Sequence, residues 1–160
     1  MKRSAILLAA LGLLALAASG ASVGSVDLEM RPVWQARGFE PASHATFCFE
    51  TLKEPNGLSE DVWAAVRGEF KRGMEAKGYR YQDKTGSLRL SYGAFPPNDV
   101  SHPQCGLFLK LRVGTGLLDQ PKWTSGAMAN APYDENTMTE LARALVQEVP
   151  ARRTEGTERR

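Results

Sequence analysis

Residues 59–78 read SEDVWAAVRGEFKRGMEAKG and set the architecture expected of this chain. Ser59 stands in the position of a helix N-cap, and Gly78 supplies a C-terminal stop. The apolar side chains between them recur at helical spacing along one stripe: Val62, Trp63, Val66, Phe70 and Met74. This pattern predicts an amphipathic helix, whose apolar stripe needs another layer to cover it.

A second amphipathic helix is predicted near the C-terminal end. Its apolar residues are Met138, Leu141, Ala142, Leu145 and Val149. Asp134 and Asn136 are its candidate caps, and Pro150 ends it. Trp63 in the first helix and Trp123 outside both helices are expected in the core, because aromatic residues in such patterns pack more often than they bind ligands.

Alternating apolar and polar residues predict strands before, between and after the two helices. The predicted segments are residues 22–30, 45–51, 79–82, 87–93, 107–113 and 123–128. We expect Pro32 to stop the first strand, the third and fourth strands to form a hairpin, and the proline-rich segment 95–104 to be a loop.

These elements predict an α+β fold, a two-layer sandwich in which two amphipathic helices pack on one face of a mostly antiparallel sheet. One connection, residues 51–79, contains a helix between two strands and predicts a parallel pair. We expect one domain over residues 22–150 and a disordered charged tail over residues 151–160.

The N-terminus has the parts of a secretory signal. Lys2 and Arg3 precede the apolar run AILLAALGLLALAA at residues 5–18, which falls short of the ~20 residues that span a bilayer. Residues 1–21 are therefore predicted to be a signal peptide that is cut after Ala21. The predicted location of the mature chain is the periplasm.

Residues 16–20, LAASG, have the form of a bacterial lipoprotein signal with Ser19 at the lipobox position, where the lipid-bearing cysteine would stand. A hydroxyl cannot replace that thiol, which argues against membrane association of the chain as written. Two readings stay open: the likeness arises by chance among small residues, or the signal has lost its cysteine.

Charge limits the classes of partner. The formal net charge is +2, and it falls to zero once the signal with Lys2 and Arg3 is removed. Nucleic-acid binding needs Lys and Arg clustered on one face, so the sequence predicts no nucleic-acid partner.

Cys48 and Cys105 are the two cysteines of the chain. In an oxidising compartment an even number of cysteines favours a disulfide, so we predict a bond between them. The alternative is a metal site formed by His44, Cys48, His102 and Cys105, since imidazole and thiolate ligands suit zinc or copper. Apart from that alternative, no cofactor is predicted.

No grouping of serine, histidine and carboxylate indicates a catalytic site. The carboxylate pairs Glu60–Asp61 and Asp134–Glu135 stand at predicted helix starts, where they stabilise the first turn. The sequence therefore predicts a protein that is not an enzyme. An enzymatic site in the loop 95–104 would need a pocket with convergent polar groups.

Several local motifs resemble a bacterial envelope lipoprotein family, catalogued as domain of unknown function 4136. They are TFCF at residues 46–49, KGYR at 77–80, LRLSY at 88–92, KWTSG at 122–126 and EVP at 148–150. The resemblance covers residues 26–150 and implies no assigned reaction, while members of the family carry a lipobox.

The function predicted from the sequence is that of an exported, non-enzymatic envelope protein, a binding or accessory module. Its partner would be an envelope protein or a small ligand that the sequence does not identify. A periplasmic metal-binding protein is the alternative.

Overall fold

The computed structural model describes residues 26–50, 57–97, 104–114 and 120–152. Its elements follow one another along the chain as strand β1 (Leu28–Gln35), a short 3-10 turn (Pro41–Ser43), β2 (Thr46–Phe49), helix α1 (Glu60–Ala76), β3 (Arg80–Tyr81), β4 (Leu88–Phe95), β5 (Gln104–Arg112), β6 (Trp123–Asn130) and helix α2 (Glu135–Glu148). The predicted signal peptide, Ser19 and residues 153–160 lie outside the described residues.

The six strands form one sheet in the order β1-β6-β5-β4-β2-β3. The pairs β1–β6, β6–β5 and β5–β4 are antiparallel, whereas β2 runs parallel to both β4 and β3. This arrangement confirms the predicted α+β fold with a mostly antiparallel sheet. The parallel β2–β3 pair also confirms the crossover through a helix.

The core lies between the helices and one face of the sheet. Buried side chains alternate along the central strands, as the sequence pattern requires: Leu88, Leu90 and Tyr92 on β4, and Leu107, Leu109 and Leu111 on β5. Trp63 and Trp123 are buried, which confirms their predicted place in the core. We call this the inner face of the sheet and the opposite one the outer face.

The two helices approach each other closely. A Cβ atom added to Gly73 would stand 2.4 Å from a methyl group of Val146, so glycine is what permits this approach. Nearby, the buried Glu69 of α1 accepts a hydrogen bond at 2.7 Å from Arg143 of α2, and it also pairs with Arg72. These hydrogen bonds, chiefly that from Arg143, lower the pKa of the Glu69 carboxyl despite its burial.

Hydrogen bonds join the residues that follow α2 to those that follow α1. The Tyr79 hydroxyl donates a hydrogen bond of 2.7 Å to the carbonyl oxygen of Pro150. Burial raises the pKa of Tyr79 to about 12. The N–H of Arg152 donates to the carbonyl of Lys77 at 2.9 Å. The first residues of the predicted tail therefore pack against the domain.

The predicted end of the first strand at Pro32 is wrong. β1 continues through Pro32 to Gln35, and its register with β6 shifts between Arg31 and Trp34. β1 is an edge strand, and a proline is tolerated at a sheet edge or in a bulge because its missing N–H then takes no hydrogen bond away from the neighbouring strand.

The predicted hairpin between β3 and β4 is also wrong, because β2 lies between these strands. The connection from β3 to β4 passes so close to β2 that a Cβ atom on Gly86 would stand 2.2 Å from the carbonyl carbon of Phe47. Two short alternating segments look alike whether they pair directly or flank a third strand, so the sequence pattern did not distinguish these arrangements.

The predicted loop 95–104 is wrong at both ends, because its first and last residues belong to strands. Phe95 closes β4 and Gln104 opens β5, and Phe95 pairs with Gly106 in the ladder between them. β4 and β5 are therefore antiparallel neighbours in a hairpin, and residues 98–103 lie outside the described part.

Candidate functional site

The two cysteines lie far apart on opposite faces of the sheet. Cys48 is the cross-strand neighbour of Arg89, and Arg89 in turn pairs with Arg112 near the end of β5. Cys105 lies near the start of β5, roughly 24 Å along the strand from Arg112 at about 3.4 Å per residue. Cys105 belongs to the core on the inner face, whereas Cys48 lies on the outer face.

This geometry corrects the predicted disulfide. Both cysteines are buried free thiols, and a disulfide needs Cα atoms no more than about 7 Å apart. The Cys105 thiol donates to the carbonyl oxygen of Ala131 at 3.5 Å, and burial raises its pKa. Both thiols behave as small apolar side chains that fill the interior.

The same separation keeps the four residues of the alternative metal site from sharing one ion. His102 lies outside the described residues. His44 is half-buried beside Phe39, with ring centroids 5.8 Å apart, and burial lowers its pKa. Over the described ranges, no three residues among His, Cys, Asp and Glu come together in a group that could hold a metal.

The carboxylate pairs serve the helix starts, as predicted. Ser59 caps α1 by accepting from the N–H of Val62, and Glu60 and Asp61 occupy the first turn. Asp134 itself caps α2, since its side chain accepts from the N–H of Thr137 at 2.9 Å. Their role at the positive end of each helix accounts for all four carboxylates.

Two features of the sheet stand out as candidate sites, and sequence reasoning singled out neither. The first is the free edge of β1, which among the described strands pairs with β6 alone. It exposes three large apolar side chains, Met30, Val33 and Trp34. We call these three residues the β1 edge patch.

The second feature lies on the outer face, which carries no helix among the described elements. Side chains of β4 and β5 lie there in cross-strand pairs: Arg89 with Arg112, Ser91 with Lys110, Gly93 with Phe108, and Phe95 with Gly106. The alternation along each strand was visible in the sequence, but the pairing of the two arginines depends on the register.

No helix in the described part of the chain is long and apolar enough to cross a membrane.

The chain resembles solved structures in fold. No protein-family model and no curated relative matches the sequence. A PelC dodecamer from Paraburkholderia phytofirmans is similar at a TM-score of 0.53 and 11% identity, over 79% of this chain and 100% of that one. A PDZ domain protein from Parabacteroides distasonis ATCC 8503 matches at a TM-score of 0.54 and 12% identity, over 80% of this chain and 37% of that one.

A third structure bears on the family resemblance noted in the sequence. It is a DUF4136 family protein from Bacteroides thetaiotaomicron VPI-5482, similar at a TM-score of 0.50 and 12% identity, over 76% of this chain and 93% of that one. Likeness at this level of identity concerns the fold alone. The chain therefore has a fold like that of a DUF4136 family protein.

Proposed function

We propose that this chain is an exported, non-enzymatic accessory protein of the bacterial envelope that works by assembling with further copies of itself through the β1 edge patch. The observation that carries the proposal is the exposure of Met30, Val33 and Trp34 along a free sheet edge. Export is inferred from the signal-like residues 1–21.

An exposed edge strand with large apolar side chains is a template for association, and soluble proteins normally protect such edges. β1 spans eight residues, and more than half of the Trp34 side chain is in solvent. Met30 pairs with the buried Ala127 and Trp34 pairs with Thr124, so the exposed apolar side chains of this edge extend over both faces of the sheet. Large exposed apolar surface marks interaction sites. Trp is also among the residues that contribute most to binding free energy at interfaces.

The sequence of β1 favours an interface formed by side chains and disfavours a continuous backbone hydrogen-bond ladder between two copies of β1. Pro32 has no N–H to donate, and the register shift between Arg31 and Trp34 breaks the regular spacing of backbone groups. Beside the patch, Arg31 pairs with Glu29 at 3.3 Å. These opposite charges lie two residues apart, so two antiparallel copies of β1 can exchange the pair between them.

The fold comparison adds support from a different direction. The PelC structure from Paraburkholderia phytofirmans is a dodecamer. A domain of similar fold is thus compatible with a large homo-oligomer.

The test uses the mature chain, residues 22–160, studied by native mass spectrometry and sedimentation velocity. We expect an oligomer of the unmodified chain, and Trp34→Ser should weaken it at least about 10-fold. Phe95→Ser is the matched control, because Phe95 and Trp34 are equally exposed, at 54%. A monomer throughout the concentration series, or equal weakening by both variants, would contradict the proposal.

Export is tested separately in a bacterial host. Mass spectrometry of the periplasmic fraction should find a mature chain that begins at Ser22. A Ser19→Cys variant should instead become lipidated and move to the membrane fraction. Retention of the complete chain in the cytoplasm would refute the proposed location.

A further inference from the structure

A patch rich in hydrogen-bond donors lies on the outer face of β4 and β5. Arg89 and Arg112 are direct cross-strand partners there, and Ser91 lies next to Arg89 on the same face, opposite Lys110. Like charges directly opposite each other in an antiparallel pair repel. Because this face points away from the helices, core packing does not account for the two arginines.

Three donor atoms of this patch are buried and have no hydrogen-bond partner among the described residues. Within the described residues, no hydrogen bond reaches Arg89 Nε, Arg112 Nε or the hydroxyl of Ser91, and all three atoms are buried. Ser91 is only 3% exposed. Buried polar atoms without partners destabilise a fold, and native proteins retain few of them. Three such atoms on adjacent positions would gain partners from an acceptor group, and because all three atoms are buried, the side chains around them must shift to admit it.

The charges around the patch leave an excess of positive charge. Glu50 is the carboxylate that the structure places against Arg112, and the two groups approach only to 3.9 Å. Lys110, beside Ser91, has its ammonium 4.6 Å from the centre of the Phe108 ring. Among the described residues, two guanidinium groups and an ammonium therefore lie near one carboxylate.

We propose that Arg89, Arg112 and Ser91 form a binding site for a phosphate group. Guanidinium groups donate paired N–H bonds to phosphate oxygens, and these charge-assisted bonds are the strong ones. A phosphate offers several acceptor oxygens to the two guanidinium groups and the Ser91 hydroxyl. Its charge at neutral pH, about −1.5 to −2 for a monoester, suits the positive excess better than a single carboxylate does.

The site does not depend on the proposed assembly. Trp34 lies on β1, and strand β6 stands between β1 and the strands that carry the phosphate site. Either proposal can therefore fail while the other holds.

The test measures binding of inorganic phosphate to the mature chain by calorimetry, with ionic strength held constant by chloride. We expect saturable binding of one phosphate per chain, and at least about 10-fold weaker binding by Arg89→Gln or Arg112→Gln. The matched control is Arg37→Gln, which removes an exposed arginine in the turn after β1 and should leave the affinity unchanged. A second titration with glycerol phosphate distinguishes the source: tighter binding of the ester indicates a phosphate carried on a larger molecule, and equal binding indicates the free ion.

Thermal unfolding separates a ligand site from a structural role. In phosphate-free buffer, Arg89→Gln should raise the melting temperature, because it removes one of two opposed charges and a buried donor without a partner. Phosphate should raise the melting temperature of the unmodified chain and leave that of the variant unchanged. The proposal is overturned if phosphate does not bind saturably, if Arg37→Gln weakens binding as much as Arg89→Gln, or if Arg89→Gln lowers the melting temperature.

Discussion

Replacing Gly73 by alanine tests how closely the two helices pack. The added Cβ atom would stand 2.4 and 2.8 Å from the two γ-methyl groups of Val146 and 3.1 Å from its Cβ atom. Rotation of the side chain does not remove this overlap, because a β-branched residue in a helix holds one χ1 rotamer and its own Cβ atom is involved. The helices must therefore move apart.

The expected magnitude combines two opposed effects. Overpacking a tight interface costs about 1 to 3 kcal/mol, and the overlap here favours the upper end. Alanine gains about 1 kcal/mol over glycine inside a helix. We therefore expect Gly73→Ala to lower the free energy of unfolding by about 2 kcal/mol.

Gly68 provides a matched control in the same helix. A Cβ atom added there would meet nothing within 4 Å, so Gly68→Ala should raise the free energy of unfolding by about 0.5 to 1 kcal/mol. The two variants make the same chemical change and differ only in what the methyl group meets.

Urea denaturation with linear extrapolation measures both variants. Combining Gly73→Ala with Val146→Ala removes the overlapping methyl groups, so the double-mutant cycle should show a favourable coupling of about 2 to 3 kcal/mol. If Gly73→Ala is as stable as Gly68→Ala, or if the cycle shows no coupling, the reasoning about helix contact is refuted.

Three further predictions concern ionisable groups. The pKa of Tyr79 is about 12 in the folded chain and 10.0 for an ordinary tyrosine, so the free energy of unfolding should fall as pH rises from 10 to 12. Tyr79→Phe should lose less of it over that range. Urea unfolding at a series of pH values checks this, and an equal loss in both proteins would contradict it. The lowered pKa of Glu69 gives stability that is present above the ordinary glutamate pKa of 4.5 and lost as pH falls below it. Glu69→Gln should therefore cost about 1 to 3 kcal/mol at pH 7 and less at pH 3, whereas an equal cost at both pH values would exclude the ion pairs as its origin. Cys48 and Cys105 should both react with a thiol reagent in denaturant without reductant and be protected in the native chain; a denatured chain with no reactive thiol would restore the disulfide.

The amphipathic patterns were sufficient to predict both helices and the class of the fold. Each helix carries its own information: a cap such as Ser59 or Asp134, an apolar stripe, and a stop such as Gly78 or Pro150. The alternation 107–113 likewise predicted the central strand β5. Such signals are local, because they depend on the periodicity of one segment and on the hydrogen-bonding needs of its ends.

The candidate sites were not predictable in this way, because they depend on which strands become neighbours. Arg89 and Arg112 are distant in the sequence and meet only through the register of β4 and β5. Cys48 and Cys105 suggested a disulfide by their even number in a compartment predicted to be oxidising, and the pairing of β2, β4 and β5 separates them.

The sequence by itself determined both helices, the approximate positions of the strands and the face that most of them bury. The tertiary structure decided that β2 lies between β3 and β4, that β1 remains a free edge and that two arginines oppose each other on the outer face. The physical reason is that side-chain periodicity sets which face of a strand is buried, whereas strand order and register follow from contacts between segments far apart in the chain.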